Sequence, residues 1–468
     1  MLGVEGKIIT EIEGSEVNRI WLKNYDSHVK QELDYPEEPL FRILENSAGR
    51  YPGKVALDFI GKAITYREVD ELSDRIAGFL RSMGVKKGDK VIVDLPNTPH
   101  YVISYYGILK AGGVVVQCNP LYTERELRHI AENSEARIAF VVENAYPNIR
   151  PLLDEGVIEK VVVCRIEDYL PGLFAFLYRL KKEKVEVEAG NAVVFWKEAV
   201  SHSPSKERPD VNPKEDVAVF QYTGGTTGLP KAVMLTHFNL VANALHVVSW
   251  LPEASENDVF LGALPYFHVY GMTTSMNAPI MLGCKIVLIP DPRDIPRILK
   301  SIQKHRVTVF CGVPTLFNAI NQHPDTPKYD LKSIRACISG SAPLPVEVKR
   351  EFERITGGKL VEGYGLSETS PVTHANPING VNKEGSIGIP FPDTVAVVVD
   401  EEGRVLPIGE VGELAIKGPQ VMKGYYRMDE ETKKVLVNGW LLTGDMARID
   451  QDGYFYIVDR KKDMIIAG

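Results

Sequence analysis

The chain is poor in cysteine. Its five thiols, Cys118, Cys164, Cys284, Cys311 and Cys337, are odd in number and form no CxxC pair, which excludes a disulfide framework and a zinc or dithiol motif. They read as reduced core residues. Basic residues are also short: 54 Lys+Arg stand against 62 Asp+Glu, a formal net charge of −8, so no general attraction to nucleic acid or anionic lipid is expected. A polyphosphate would need a local site. The longest apolar runs, such as that around residues 112–116, fall far below the ~18 residues of a spanning helix. No basic-then-apolar segment opens the chain, where Glu5, Glu11, Glu13 and Glu16 stand, and a cytoplasmic location is the expectation. What remains is ordinary for a globular protein: 468 residues with 44% hydrophobic and 25% charged side chains, room for about three domains at ~150 residues each.

From residue 55 to 164, short β-prone runs at 55–60, 90–94, 113–118, 137–142 and 157–164 alternate with segments of helical period. Thr65 and Glu68 form a capping-box pair ahead of Val69, Leu72, Ile76, Phe79 and Leu80, which share one helical face, and Gly84 ends the run. Thr123 and Glu126 repeat the device before Leu127 and Ile130. Residues 166–215 break the rhythm, and a second series follows at 217–222, 285–290, 307–311 and 335–339. After about Pro371 the strands become closely spaced. The expected fold class is therefore α/β: two doubly wound, largely parallel sheets flanked by helices, plus a small β-rich subdomain drawn as a distorted barrel. The expected division is a polar, acidic lead-in at 1–34, α/β subdomains at 35–215 and 216–370, the β-rich part at 371–458 and a hinge at 459–468.

The strongest local signal is the string Thr223, Gly224, Gly225, Thr226, Thr227, Gly228, Leu229, Pro230, Lys231, directly after an expected strand. Glycines let main-chain N–H groups close on an anion, threonines add hydroxyl donors, and a lysine reaches terminal phosphates. The Walker pattern needs Gly followed at once by Lys, and here Leu229 and Pro230 intervene, which argues against a P-loop ATPase. A flexible surface turn is the bland alternative.

This string resembles the phosphate loop of the adenylate-forming superfamily, the acyl-CoA synthetases, luciferase-type enzymes and peptide-synthetase adenylation domains. Further motifs follow in the family's order. Gly340, Ser341, Ala342 and Pro343 resemble the adenine-side turn; Tyr364, Gly365, Leu366, Ser367 and Glu368 the second nucleotide motif; Thr443, Gly444 and Asp445 the ribose motif; Asp459, Arg460, Lys461 and Lys462 the hinge. The resemblance implies ATP-dependent activation of a carboxylate as an acyl-adenylate with pyrophosphate release, then thioester formation on coenzyme A. Lys231, Glu368 and His268 are its catalytic candidates, with Glu368 the ligand for Mg2+, since a hard cation on phosphates takes carboxylate oxygen. By the same resemblance Thr223, Thr226 and Thr227 meet the β- and γ-phosphates, Ser367 lies near the α-phosphate, Asp445 accepts from ribose hydroxyls, Arg460 donates to the ribose or phosphate edge, and Tyr364 stacks on adenine.

The substrate is read from residues 264–271, where relatives that activate amino acids carry an Asp beside the Phe of this motif and this chain has His268 after Phe267. A buried ammonium without a carboxylate is costly, which disfavours an α-amino acid. His268 could instead orient the acid, its bland alternative being a core histidine, and Trp250, Met272, Met276, Met281 and Leu282 divide between core and acyl tunnel. The stretch 438–445 is similar to the fatty-acyl-CoA ligase signature, so the expectation is a medium- or long-chain fatty acid, with a coumarate-like aryl acid second and a noncatalytic nucleotide- or acyl-binding protein as the alternative of another class. Leu173, Phe174, Phe176, Leu177 and Leu180, followed by Lys181 and Lys182, read as a buried helix or partner contact, with a peripheral membrane contact as the second reading. A homodimer is left open. The chain stops at Gly468, inside the hinge motif, and the resemblance implies a further mobile C-terminal domain carrying a lysine for adenylation; the expectation is an N-terminal portion impaired when alone.

Overall fold

A computed structural model of the chain describes residues 18–182, 184–224 and 230–460. The eight-stranded sheet runs, edge to edge, through Gly424–Tyr425, Lys231–Thr236, Val217–Thr223, Val114–Gln117, Lys90–Asp94, Ile138–Val142, Lys160–Cys164 and Val193–Phe195. Its pairings from Val217–Thr223 to Val193–Phe195 are parallel, and the two at the other edge are antiparallel. The nine-stranded sheet runs through Ile389–Pro390, Val372–Ala375, Lys359–Gly365, Ala336–Ser339, Val309–Gly312, Val259–Gly262, Lys285–Leu288, Val55–Phe59 and Lys62–Thr65, again parallel inside and antiparallel at the edges. Inner strands covered by helices on both faces read as continuous apolar runs. Val114–Gln117, in the middle of its sheet, is buried at every position.

Local signals fix the crossover helices. Tyr66–Ser82 begins with the Thr65 side chain accepting from Glu68 N while Thr65 N donates to Glu68 Oε2 at 2.7 Å, and Val69, Ile76, Phe79 and Leu80 are buried along it. Glu124–Ser134 opens with the same reciprocal pair at Thr123 and Glu126. A third box, Thr236 with Asn239, starts His237–Trp250. All five cysteines are free and buried.

The chain order does not map simply onto the sheets. Val55–Phe59 pairs into the nine-stranded sheet with a strand some 200 residues later and carries Lys62–Thr65 on its other side, whereas Val217–Thr223 and Lys231–Thr236 complete the eight-stranded one. Each sheet thus draws strands from both sides of residue 215. The β-rich part corrects one expectation. It is an open antiparallel sheet of five strands, Val395–Val399, Gly412–Lys417, Trp440–Ile449, Leu436–Val437 and Phe455–Arg460, and no closed barrel occurs among the described residues. Its outer strands never meet because Leu436–Val437 and Phe455–Arg460 both pair along the long Trp440–Ile449 strand. The described part of the lead-in is packed: Trp21 is buried against Phe455, and Tyr35 donates to Asp393 Oδ2 at 2.8 Å.

Candidate active site

The glycine- and threonine-rich string bridges a β-hairpin. Thr223 and Lys231 are register partners across Val217–Thr223 and Lys231–Thr236, and Thr223 stands at the carboxyl end of a strand paired in parallel with Val114–Gln117. Ligands of open α/β sheets gather at such ends. Thr223 is half-buried and Gly224 exposed. Gly225, Thr226, Thr227 and Gly228 lie outside the described residues, as does Lys462 in the hinge.

Lys231 Nζ pairs with Glu431 Oε2 at 2.9 Å and stands 5.0 Å from the centre of the Tyr425 ring. Tyr425 in turn donates its hydroxyl to Glu368 Oε1 at 2.8 Å. Glu368 is held in the Ser367–Thr369 turn, and its carbonyl accepts from Met422 N at 2.8 Å. The Glu431 carboxyl is held down to about 2 by Lys434 first and Lys231 second. Burial drives the Tyr425 phenol up, and the Glu368 carboxylate adds to the effect, so the hydroxyl remains a donor.

Four positions before Glu368, Tyr364 lies one residue from the end of the Lys359–Gly365 strand and donates to Asp445 Oδ2 at 2.5 Å. Asp445 sits opposite Arg460 in the pairing of Trp440–Ile449 with Phe455–Arg460, its Oδ1 3.7 Å from Arg460 Nε. Burial raises the Asp445 carboxyl despite the Tyr364 hydrogen bond and the Arg460 charge. Arg460 is exposed, with an end free to turn toward a ligand. Gly365 has a steric reason: a Cβ there would collide with the Pro371 carbonyl.

Two adjoining cavities open between these groups. One is lined by Leu264, His268, Val313, Gly365, Ser367 and Pro371, and the other by Val247, Ile338, Gly340, Tyr364, His374 and Phe391. Tyr270, Ser341, Gly365 and Pro371 face both, so the two are neighbours across one wall. The second is apolar apart from a few groups. Burial pulls the His374 imidazole down to about 3, which leaves it neutral. His268 stands at the mouth of the first cavity, exposed, its ring tilted 54° to that of Phe267 with centres 4.7 Å apart, and its imidazole makes no hydrogen bond among the described residues. Neighbouring protein lowers its pKa by desolvation, an effect that solvent at the mouth moderates. Ala342 and Pro343 are exposed beyond the Ala336–Ser339 strand, with Ser341 at φ 70°.

Trp250, Met272 and Met276 are fully buried core and line neither cavity. Val247, Ile338, Val372 and Phe391, which the sequence did not single out, line the second cavity instead. Sequence reasoning also missed Tyr425, Glu431 and Glu362. Glu362 accepts from Leu344 N at 3.1 Å, backing the turn that holds residues 340–343, and burial pushes its carboxyl up to about 7. A Glu two residues before the Tyr364 motif, in an otherwise apolar strand, was the available signal. Glu431 had none, since its contact depends on the Asp429–Val435 helix folding over the hairpin.

Residues 44–426 match the AMP-binding enzyme family. The chain is 46% identical over 457 residues to the long-chain-fatty-acid–CoA ligase of Bacillus subtilis (strain 168), covering 96% of this chain and 81% of that protein. It is 36% identical over 460 residues to the long-chain-fatty-acid–CoA ligase of Escherichia coli O6:H1, covering 96% and 82%. Among solved structures, a long-chain-fatty-acid–CoA ligase from Archaeoglobus fulgidus aligns with a TM-score of 0.80 at 28% identity, over 93% of this chain and 86% of that one.

Proposed function

We propose, from the premise that this chain belongs to the AMP-binding enzyme family, that it activates a medium- or long-chain fatty acid with ATP for transfer to coenzyme A. A carboxylate oxygen attacks the α-phosphorus, the bond to the bridging oxygen breaks, and pyrophosphate leaves; a thiolate then attacks the acyl carbon and AMP leaves. Two anions must meet in the first step, so the site has to supply cations and N–H donors where charge develops. In this reading Thr223 and the loop after it hold the β- and γ-phosphates, and Lys231 exchanges Glu431 for phosphate oxygen. Asp445, with one oxygen oriented by Tyr364, accepts from the ribose, and Arg460 swings in from the facing strand. The turn at Gly340, Ser341, Ala342 and Pro343 borders the adenine, and Ser367 the α-phosphate. His268, neutral at the cavity mouth, donates to the acid carboxylate.

The Glu368 carboxylate suits a magnesium ion, because Oε1 is oriented by the Tyr425 hydroxyl and the hard oxygen donor matches the cation. When bound, that ion would screen the charge of the phosphates.

One observation carries the acid class. The cavity beside His268 has a volume of about 280 Å³, with Leu264, Val269, Val313 and Pro371 in its lining and no carboxylate or ammonium side chain among its lining residues, an environment for an alkyl chain. Each methylene buried there is worth ~0.8 kcal/mol. The test is calorimetric binding of dodecanoate, hexadecanoate, benzoate and coumarate to the chain with a nonhydrolysable ATP analogue present. Affinity is expected to rise with alkyl length and to exceed that of either aryl acid; tighter coumarate than hexadecanoate would replace the fatty acid by an aryl one.

A further inference from the structure

The Gly172–Lys181 helix departs from the rest of the surface. Five of the ten exposed large hydrophobic side chains among the described residues lie on it: Leu173 at 70%, Phe174 at 55%, Phe176 at 58%, Leu177 at 43% and Leu180 at 68%. The expectation of a buried helix is thereby corrected. At 100° per residue, Leu173, Leu177 and Leu180 form one stripe, Phe174 and Phe176 flank it, and the opposite side carries Ala175 and Tyr178, with the extended residue Lys182 ending the helix. Only that opposite side is turned inward. Ala175 is buried, and Lys182 pairs with Glu143 and, at 2.7 Å, with Glu167. These buried carboxylates fix the helix with its leucines outward, so the exposure is built in.

We infer that this helix is a membrane-surface anchor, which sets Leu173, Leu177 and Leu180 with the flanking phenylalanines into the boundary between headgroups and acyl chains of an anionic bilayer. Two features favour a bilayer. Arg179 and Lys181 are exposed at the helix end and Lys184 lies just beyond it; Lys181 and Lys184 have no carboxylate partner among the described residues, and Arg179 stands 3.6 Å from Glu167. Basic groups beside an apolar stripe match anionic headgroups and shallow insertion. The apolar face is also small. Five side chains at these exposures offer roughly 600 Å², less than the ~800 Å² per partner that a stable protein interface buries. The inference rests on the fatty-acid reading for its use, since such an acid partitions into bilayers and a docked enzyme meets it there. The chain as a whole carries −8, so attraction to lipid has to be local.

The experiment is cosedimentation of the full chain with vesicles of phosphatidylcholine alone and of phosphatidylcholine with 30% phosphatidylglycerol, without nucleotide or CoA (about 30% is the range in which such surfaces attract basic segments). The wild type is expected in the pellet, more so with phosphatidylglycerol, and Leu173→Ser/Leu177→Ser/Leu180→Ser should reduce the bound fraction at least fivefold. The thermal midpoint and nucleotide affinity of that variant should match wild type, because the three side chains are exposed. Arg179→Glu/Lys181→Glu, which leaves the stripe intact, should abolish the preference for phosphatidylglycerol. A wild type absent from both pellets, or a triple variant that pellets equally, overturns the inference. So does a dimer seen by sedimentation velocity that the triple variant loses, which would give the face to a second copy. If vesicles are bound but no fatty acid is, the anchor stands and the substrate reading falls.

Discussion

The two sides of the cleft satisfy their charged groups in different ways. On the Asp445 side, a buried carboxylate takes a hydrogen bond from a half-buried tyrosine and faces an exposed guanidinium. On the Lys231 side, the ammonium is about a third exposed and matched by an equally exposed carboxylate, with Tyr425 linking the pair to Glu368. The first arrangement is preorganised: its acceptor is already oriented, and desolvation makes each contact stronger. The second is self-quenched: Lys231 is paired with Glu431, which in the proposed reading a ligand has to displace. Exposed pairs of this kind are worth only ~0–1 kcal/mol, so the displacement is inexpensive. In the proposed reading, one side supplies selectivity and the other charge on demand.

Three changes would break or sharpen this contrast. Asp445→Ala strikes the preorganised side and leaves the Tyr364 hydroxyl without its acceptor; nucleotide affinity is expected to fall ~100-fold, about 3 kcal/mol, with acid binding little changed. Calorimetry with an ATP analogue measures it, and a loss under fivefold would mean that the two sides are equivalent. The second change is pH. The Glu362 carboxyl, raised from 4.5 to about 7 in the folded chain, binds its proton more tightly there than when unfolded. Its contribution is therefore fully present below about pH 4.5 and declines as pH rises to about 7, the native state holding the extra proton across that window. Between pH 5 and 8, wild type should lose about 2 kcal/mol more unfolding free energy than Glu362→Gln, as read by urea denaturation. Parallel pH profiles would contradict it. The smallest effect is expected from Glu431→Gln. Freeing Lys231 should tighten nucleotide binding about threefold, within the range of an exposed ion pair. Weaker binding would show that Glu431 helps the site rather than quenching it.

Much of the layered architecture was legible in the chain. Runs such as residues 114–117 and 161–163, apolar at nearly every position, follow from burial on both faces, and the Thr65/Glu68 and Thr123/Glu126 boxes mark helix starts by local chemistry. Long-range choices were not. Nothing near Val55–Phe59 says that it will pair with Lys285–Leu288 rather than with its sequence neighbours, because strand partnership is decided by packing at the far end of the fold. The same applies to the site. Motifs named Tyr364 and Asp445 separately, but their mutual hydrogen bond spans 81 positions and has no local signature. The Leu173 to Leu180 stretch shows a further limit, since apolar spacing says helix and cannot say which face meets protein.

The short Gly424–Tyr425 strand covers the outer edge of the hairpin that flanks the glycine- and threonine-rich string, pairing Tyr425 with Val233 and Gly424 with Met234. The partner of Lys231 arrives still later, 200 positions down the chain at Glu431. On a ribosome adding ~5–20 residues per second, the hairpin must wait roughly 10–40 s for its covering strand. During that interval its rim is an unpaired β edge, available to any other nascent polypeptide. Slow or crowded translation should therefore penalise this part of the molecule first, with aggregates seeded at the hairpin while the parallel strands behind it are already native.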